Sequence, residues 1–160
     1  SVNPHSQLSF DQSAKVIINH VTDGVRIAEK ALLPKAVVDF IRTHHGLGKA
    51  KYFYNSFKNQ YPDKEIDEKT FTYPGPNPFS KETAVLMMAD SVEAASRSLK
   101  EHTEESIRQL VDKIIDGQIA DGLLKSAPLT FRDVETIKSV FVDKLKTMFH
   151  TRISYPDLKK

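Results

Sequence analysis

The sequence has 160 residues, of which 39% are hydrophobic and 28% charged, and its formal net charge is +2. This length and composition are typical of one soluble globular domain. The small net charge excludes a field strong enough to predict binding to a nucleic-acid polymer or a membrane surface. No apolar run approaches the roughly 18 residues that span a bilayer. The chain contains no cysteine, so any metal must be held by imidazole, carboxylate and water.

The first third of the chain predicts three helices. A capping box that begins at Ser9 starts a helical apolar pattern that runs to about Lys30. Pro34 fits the first turn of a second helix, and Gly46 is placed to end it. Residues 50–60 form a weaker, aromatic-rich pattern that also predicts a helix.

The remainder predicts a proline-rich loop and three further helices. Three prolines within 73–78 forbid regular helix there. Helices are then predicted after three capping residues, Ser80, Thr103 and Thr130. The first of these is expected to run to about Leu99, and the tail from Thr151 is expected to be an extended arm. No segment alternates as a strand does, so the fold class is all-α with about six helices.

Four residues able to bind a metal stand on apolar faces or at a helix end: His20, His44, His45 and Asp90. Each has a structural alternative. His20 could be a hydrogen-bonded core histidine, and the His pair could simply interact with a helix dipole. Adjacent helical side chains diverge by about 100°, so both rings can reach one site only if the helix end is irregular, as Gly46 permits. Asp90 lies in an alanine-rich helix, where a buried carboxylate is costly unless it is paired or binds a metal.

Two basic residues on the helix of Asp90 are candidates for contact with a substrate phosphate. Arg97 follows Asp90 by two helical turns, and Lys81 opens the same helix beside the proline-rich loop. A solvated or ion-paired role is the alternative for both residues.

Three strings in this order resemble the cytoplasmic HD domain of the 7TM-HD family of bacterial membrane proteins: "NPHSQLSFDQSAKVIINHVTDGVRIAEKALLPKAVVDFIRTHHG", "FTYPGPNPFSKETAVLMMADSVEAASRSL" and "LTFRDVETIKSVF…FHTRISYP". The resemblance implies hydrolysis of cyclic di-AMP to pApA at a site with two metal ions, iron or manganese. It also implies that His20, His44, His45 and Asp90 are metal ligands. The implied location is the cytoplasmic domain of an inner-membrane protein, with the rest of the parent chain, including its transmembrane region, as a partner. A homodimer is left open.

The family pattern also needs an upstream His and a His-Asp dyad, and no His-Asp dipeptide occurs in this sequence. We therefore expect residues 1–160 to be the C-terminal part of a single HD domain, truncated at its N-terminus. Its catalytic residues are then unknown, and the fragment is expected to be inactive alone. Two alternatives remain: another nucleotide substrate, such as cyclic di-GMP, or a non-catalytic helical regulatory module.

Overall fold

The computed structural model describes residues 9–150 and 157–159. These residues form six α-helices and no strand, which confirms the predicted all-α class. None of the described helices is both long and apolar enough to cross a membrane. The helices are α1 (Phe10–Lys30), α2 (Lys35–Thr43), α3 (Lys51–Gln60), α4 (Lys81–Ser96), α5 (Glu104–Ala120) and α6 (Phe131–His150).

The predicted capping residues begin their helices. The Ser80 hydroxyl accepts a hydrogen bond from the Thr83 N–H at 3.1 Å, and the Thr103 hydroxyl caps α5 in the same way. Before α1, the Ser9 N–H donates to Gln12 Oε1 at 3.3 Å. Each cap satisfies a backbone group that has no partner within the helix.

Helix ends differ more from the prediction than helix starts. Pro34 is the N-cap of α2 rather than part of its first turn, and α2 already ends at Thr43. Helix α4 ends at Ser96, three residues before Leu99, because the backbone there tightens into i→i−3 hydrogen bonds. A short 3₁₀ helix at 68–71 was not predicted. The predicted arm begins at 151–156, which lie outside the described residues.

Two hydrophobic clusters form the core. The α4–α6 cluster fills the space between the last three helices and includes Met87, Met88, Val111 and Ile115. The α1–α3 cluster joins α1 and α3 to the 3₁₀ helix and includes Ala14, Val21, Phe71 and Tyr73.

The buried face of α1 differs from the predicted apolar stripe. Val21 and Ala28 are buried, whereas Val16 is 51% and Ile27 is 66% exposed. His20 lies on the exposed side, so the interpretation of His20 as a core histidine is wrong. The predicted apolar stripe therefore includes residues of α1 that the other described residues leave exposed.

A glycine brings α1 and α2 close together. A Cβ atom added at Gly24 would lie 3.0 Å from Cγ2 of Ile41, a tight separation. Gly24 follows His20 by one helical turn, and Ile41 precedes His44 by about one turn. The close approach of the two backbones therefore places His20 against His44.

Candidate metal centre

Three histidine side chains meet where α1 packs against the end of α2. His20, His44 and His45 each offer a ring nitrogen, and these nitrogens all lie within 4.8 Å of one another. The Nε2 atoms of His20 and His44 are 3.1 Å apart. The expected convergence of these three residues is therefore present.

Backbone carbonyls set the tautomers of two of the rings. Nδ1 of His44 donates to the Ile41 carbonyl at 2.6 Å, and Nδ1 of His20 donates to the Ile17 carbonyl. A carbonyl only accepts, so each Nδ1 carries the proton and each neutral ring keeps its lone pair on Nε2. Two such lone pairs facing each other at 3.1 Å repel unless a cation lies between them.

His45 reaches the site because the helix has already ended. His44 is the C-cap of α2, and Gly46 adopts a positive φ of 52°. The rings of His44 and His45 are consequently 4.2 Å apart between centroids rather than divergent. Burial, followed by the nearby charges of His44 and His20, lowers the pKa of His45 to about 4. His45 is therefore neutral at pH 7, as a metal ligand must be.

The proline-rich loop supports the His pair. Asn77 Oδ1 accepts a hydrogen bond from the Leu47 N–H at 2.8 Å. A Cβ atom at Gly46 would lie 2.6 Å from the same Oδ1 and 2.9 Å from Cε of Met87, so only glycine fits. The Tyr73 ring stacks on His45, with centroids 4.2 Å apart and planes 12° from parallel.

Asp90 is not where the sequence argument placed it. Its side chain is exposed, because the buried face of α4 is formed by Ala84, Met88 and Val92 and Asp90 points away from them. Within the described part of the chain, Asp90 is not one of the residues whose ligand atoms lie within 4.8 Å of each other. It does lie on the histidine side of the domain. Burial first, and then the charge of Asp90, raises the pKa of Tyr73. Its role as a ligand of a second ion stays a prediction.

The two candidate substrate-binding residues are engaged in ion pairs. Lys81 Nζ lies 3.0 Å from Asp133, and an Arg97 guanidinium nitrogen lies 3.1 Å from Glu93. They stand at opposite ends of α4, roughly 24 Å apart along its axis. Contact of either residue with a substrate stays a prediction, and the ion pairs are the alternative that the sequence allowed.

Sequence reasoning missed a cavity beside the His pair. It has a volume of about 390 Å³, and His44, His45 and Tyr73 line it together with residues of α4 and α5. Lys113 and Gln118 of α5 contribute polar groups to its wall. One available signal was Gly117, a glycine in mid-helix, which often marks a close approach or an open space.

The donor set suits a transition-metal ion. Imidazole nitrogens bind iron, manganese and zinc, and second hydrogen bonds from Nδ1 to carbonyls orient the rings as in known metal sites. Metal–nitrogen bonds of about 2.0–2.1 Å place two ligands of one ion roughly 3 Å apart. The 3.1 Å between the Nε2 atoms of His20 and His44 agrees with that spacing.

Comparison with known proteins gives consistent matches over nearly the whole chain. The chain is 42% identical over 158 residues to the cyclic-di-AMP phosphodiesterase PgpH of Bacillus subtilis (strain 168). The aligned region covers 99% of this chain and 22% of that protein. It is 36% identical over 158 residues to the PgpH of Listeria monocytogenes, with the same two coverages. The chain thus spans about a fifth of the length of these relatives. No protein-family profile matches it.

Two solved structures have the same fold. The crystal structure of the L. monocytogenes phosphodiesterase PgpH HD domain matches with a TM-score of 0.85 at 33% identity, over 94% of this chain and 69% of that one. The crystal structure of that domain in complex with cyclic-di-AMP matches with a TM-score of 0.86 at 34% identity, over 92% of this chain and 68% of that one. The fold shared with these two structures is therefore that of an HD domain. More particularly, the chain belongs to the family of PgpH HD domains, which confirms the resemblance seen in the sequence.

Proposed function

We propose that residues 1–160 are the C-terminal part of an HD phosphodiesterase domain that hydrolyses cyclic di-AMP to pApA within a longer protein. The observation that supports this most directly is the convergence of His20, His44 and His45, whose ligand atoms lie within 4.8 Å of one another. The proposed substrate is supported by the PgpH relatives, which are named cyclic-di-AMP phosphodiesterases, and by the complex of the Listeria HD domain with cyclic-di-AMP. On the basis of the same similarity, we propose that the domain is the cytoplasmic part of an inner-membrane protein.

The three histidines would hold one divalent ion, and Asp90 would contribute to a second. Iron and manganese are the proposed ions, two in a complete site. Bound there, such ions would neutralise charge on the phosphoryl oxygens and lower the pKa of water. The contribution of the chain is to hold His45 neutral by burial and to aim Nε2 of His20 and His44 at one point.

The proposal includes low activity for the present polypeptide. His20 and Asp90 are exposed, and no His-Asp dipeptide is present to complete the ligand set. Incubation of the 160-residue chain with cyclic di-AMP and Mn²⁺ should give little pApA. Turnover close to that of the complete domain would contradict this expectation.

The role of Asp90 is tested in the longer protein. Asp90→Ala should reduce both bound metal and hydrolysis of cyclic di-AMP, because a ligand is lost. Asp90→Asn keeps the size and removes the charge, so it should show the same direction of change. The matched control is Glu93→Ala on the same helix, which removes an exposed carboxylate that pairs with Arg97. Retention of metal and activity by Asp90→Ala would make Asp90 a structural residue.

The exposure of His20 and Asp90 also favours a second candidate, a non-catalytic helical module. Metal content distinguishes the two functions. A degenerate module binds no stoichiometric transition metal even in the longer protein, whereas the proposed phosphodiesterase does. Hydrolysis of cyclic di-GMP in preference to cyclic di-AMP would instead identify a related enzyme with a different substrate.

A further inference from the structure

The cavity beside the His pair has the size of a small-molecule site. Its volume of about 390 Å³ falls within the roughly 300–1,000 Å³ typical of ligand pockets. His44 and His45 form part of its wall, so a molecule that has a phosphate at the histidines can extend into it. The Tyr73 ring and the side chains of Met87 and Ile114 supply apolar and aromatic surface.

One face of α5 supplies the opposite wall. Gly117 follows Lys113 by four residues, which puts both on one face of the helix, and Gln118 is the next residue and also lines the cavity. A Cβ atom added at Gly117 would have no other atom within 4 Å. The glycine therefore leaves open space in the wall rather than permitting a close helix contact.

Gln118 carries a polar group without a partner. Its Nε2 donates to the Ser91 hydroxyl at 2.8 Å, while its Oε1 is buried and has no hydrogen-bond partner among the described residues. Reversal of the amide would exchange the two atoms, so one amide group is unpaired in either orientation. Its terminal torsion is soft, so the amide can reorient toward a molecule in the cavity that Gln118 lines.

The cavity is also basic. Lys49 and Lys51 line it and pair with Glu68 and Asp121, respectively. Lys113 lines it too, and within residues 9–150 and 157–159 no carboxylate forms an ion pair with it. An ammonium group in the wall of a partly aromatic cavity suits a molecule with both a phosphate and a planar base.

We propose that this cavity is a nucleoside subsite, in which the unpaired amide group of Gln118 hydrogen-bonds a nucleobase and Lys113 contacts a phosphate. The inference rests on the proposed function, because the histidines must hold one phosphate of a cyclic dinucleotide for its nucleoside to enter the cavity. Nε2 of Gln118 is held by Ser91, so the unpaired Oε1 can accept one hydrogen bond, such as that from the N6 amino group of adenine. Gln118 is therefore a specificity-determining residue for an adenine-containing ligand.

The test uses nuclear magnetic resonance of the ¹⁵N-labelled 160-residue chain with Zn²⁺, which is diamagnetic. Cyclic di-AMP should shift the side-chain amide signal of Gln118, which Gln118→Met identifies by removing it. Ribose 5-phosphate has no base, so it should leave that signal in place. Gly117→Leu adds an apolar side chain where a Cβ atom meets no other atom within 4 Å, and it should weaken binding of cyclic di-AMP by at least tenfold.

The matched control is Gln109→Leu, which places the same side chain on the exposed surface of α5 eight residues earlier. It should bind cyclic di-AMP like the unchanged chain. If cyclic di-AMP shifts the ring signals of His44 and His45 but Gly117→Leu and Gln118→Met bind it normally, the subsite is wrong and the proposed function stands. If cyclic di-AMP shifts no signal at all, the subsite is overturned, and the hydrolysis assay on the longer protein decides the proposed function separately.

Discussion

His45 lies flat against Tyr73, with ring centroids 4.2 Å apart and planes 12° from parallel. Tyr73 is 6% exposed and belongs to the α1–α3 cluster. Because α2 ends at Thr43, the helix itself does not fix the direction of the His45 ring. The direction of the ring is fixed instead by packing against Tyr73, a buried aromatic residue 28 positions later in the chain.

Replacement of Tyr73 by leucine should loosen the metal centre. The change removes the stacked ring and leaves space in a buried position, so the free energy of unfolding should fall by about 2–4 kcal/mol. Loss of an orienting neighbour should weaken metal binding by roughly 10- to 100-fold. Tyr73→Phe keeps the ring and should bind metal normally. Calorimetric titration with Mn²⁺ measures the affinities, and equal affinity in Tyr73→Leu would contradict the role of the stack.

Asn77→Ala should destabilise the loop that carries the His pair. The Leu47 N–H would lose its acceptor at 2.8 Å, and loss of such a hydrogen bond costs about 1–2 kcal/mol. Asn77→Asp keeps an acceptor oxygen and should lose less. Urea unfolding measures both variants, and the expectation fails if alanine and aspartate give the same stability.

Gly24→Ala should have different effects on the stability of the chain and on its affinity for metal. Alanine favours a helix interior over glycine by about 0.5–1 kcal/mol, but its Cβ would lie 3.0 Å from Cγ2 of Ile41. The control is Gly117→Ala in α5, where the added Cβ has nothing within 4 Å. Gly117→Ala should give the full gain in stability. Gly24→Ala should give less and should weaken metal binding, because α2 must move and carry His44 away from His20. Equal gains and normal metal binding would show that Ile41 accommodates the change.

Asp133→Asn should make the start of α6 insensitive to pH. A hydrogen bond from the Thr130 backbone, followed by one from Lys81, lowers the pKa of Asp133 below its ordinary value of 3.8. The unfolded chain therefore binds the proton more readily, and this stabilisation is complete above pH 3.8 and is lost as the pH falls below it. Thermal unfolding should show a lower midpoint for Asp133→Asn at pH 7, and the difference should narrow as the pH falls below 3.8. A gap of constant size at every pH would mean that the carboxylate charge is not its cause.

The parts that the sequence predicted correctly depend on local chemistry. Helix starts at Ser80, Thr103 and Thr130 follow from side chains that bond backbone groups three residues away. The approach of His44 to His45 follows from an irregular helix end, which Gly46 permits one residue later. These relationships span few residues, so one sequence is enough to predict them.

The parts that were missed depend on packing between distant elements. An alanine-rich helix such as α4 has no strongly marked face, so the sequence did not reveal that Asp90 points outward. The cavity lined by Lys113 and Gln118 exists only because α5 packs beside α4 and the loop 44–50 between α2 and α3, the histidine loop. Neither the spacing nor the composition of α5 identifies that neighbour.

The histidine loop touches both halves of the core. On one side Gly46 lies so close to Met87 of the α4–α6 cluster that a Cβ atom would come within 2.9 Å of its Cε, and on the other side His45 packs on Tyr73 of the α1–α3 cluster. A metal that binds the folded loop stabilises it by an amount that rises with the logarithm of the metal concentration once this exceeds Kd. A bound ion should therefore make unfolding more cooperative. We expect the α1–α3 and α4–α6 clusters to unfold in one transition when the ion is bound and in two transitions when it is removed.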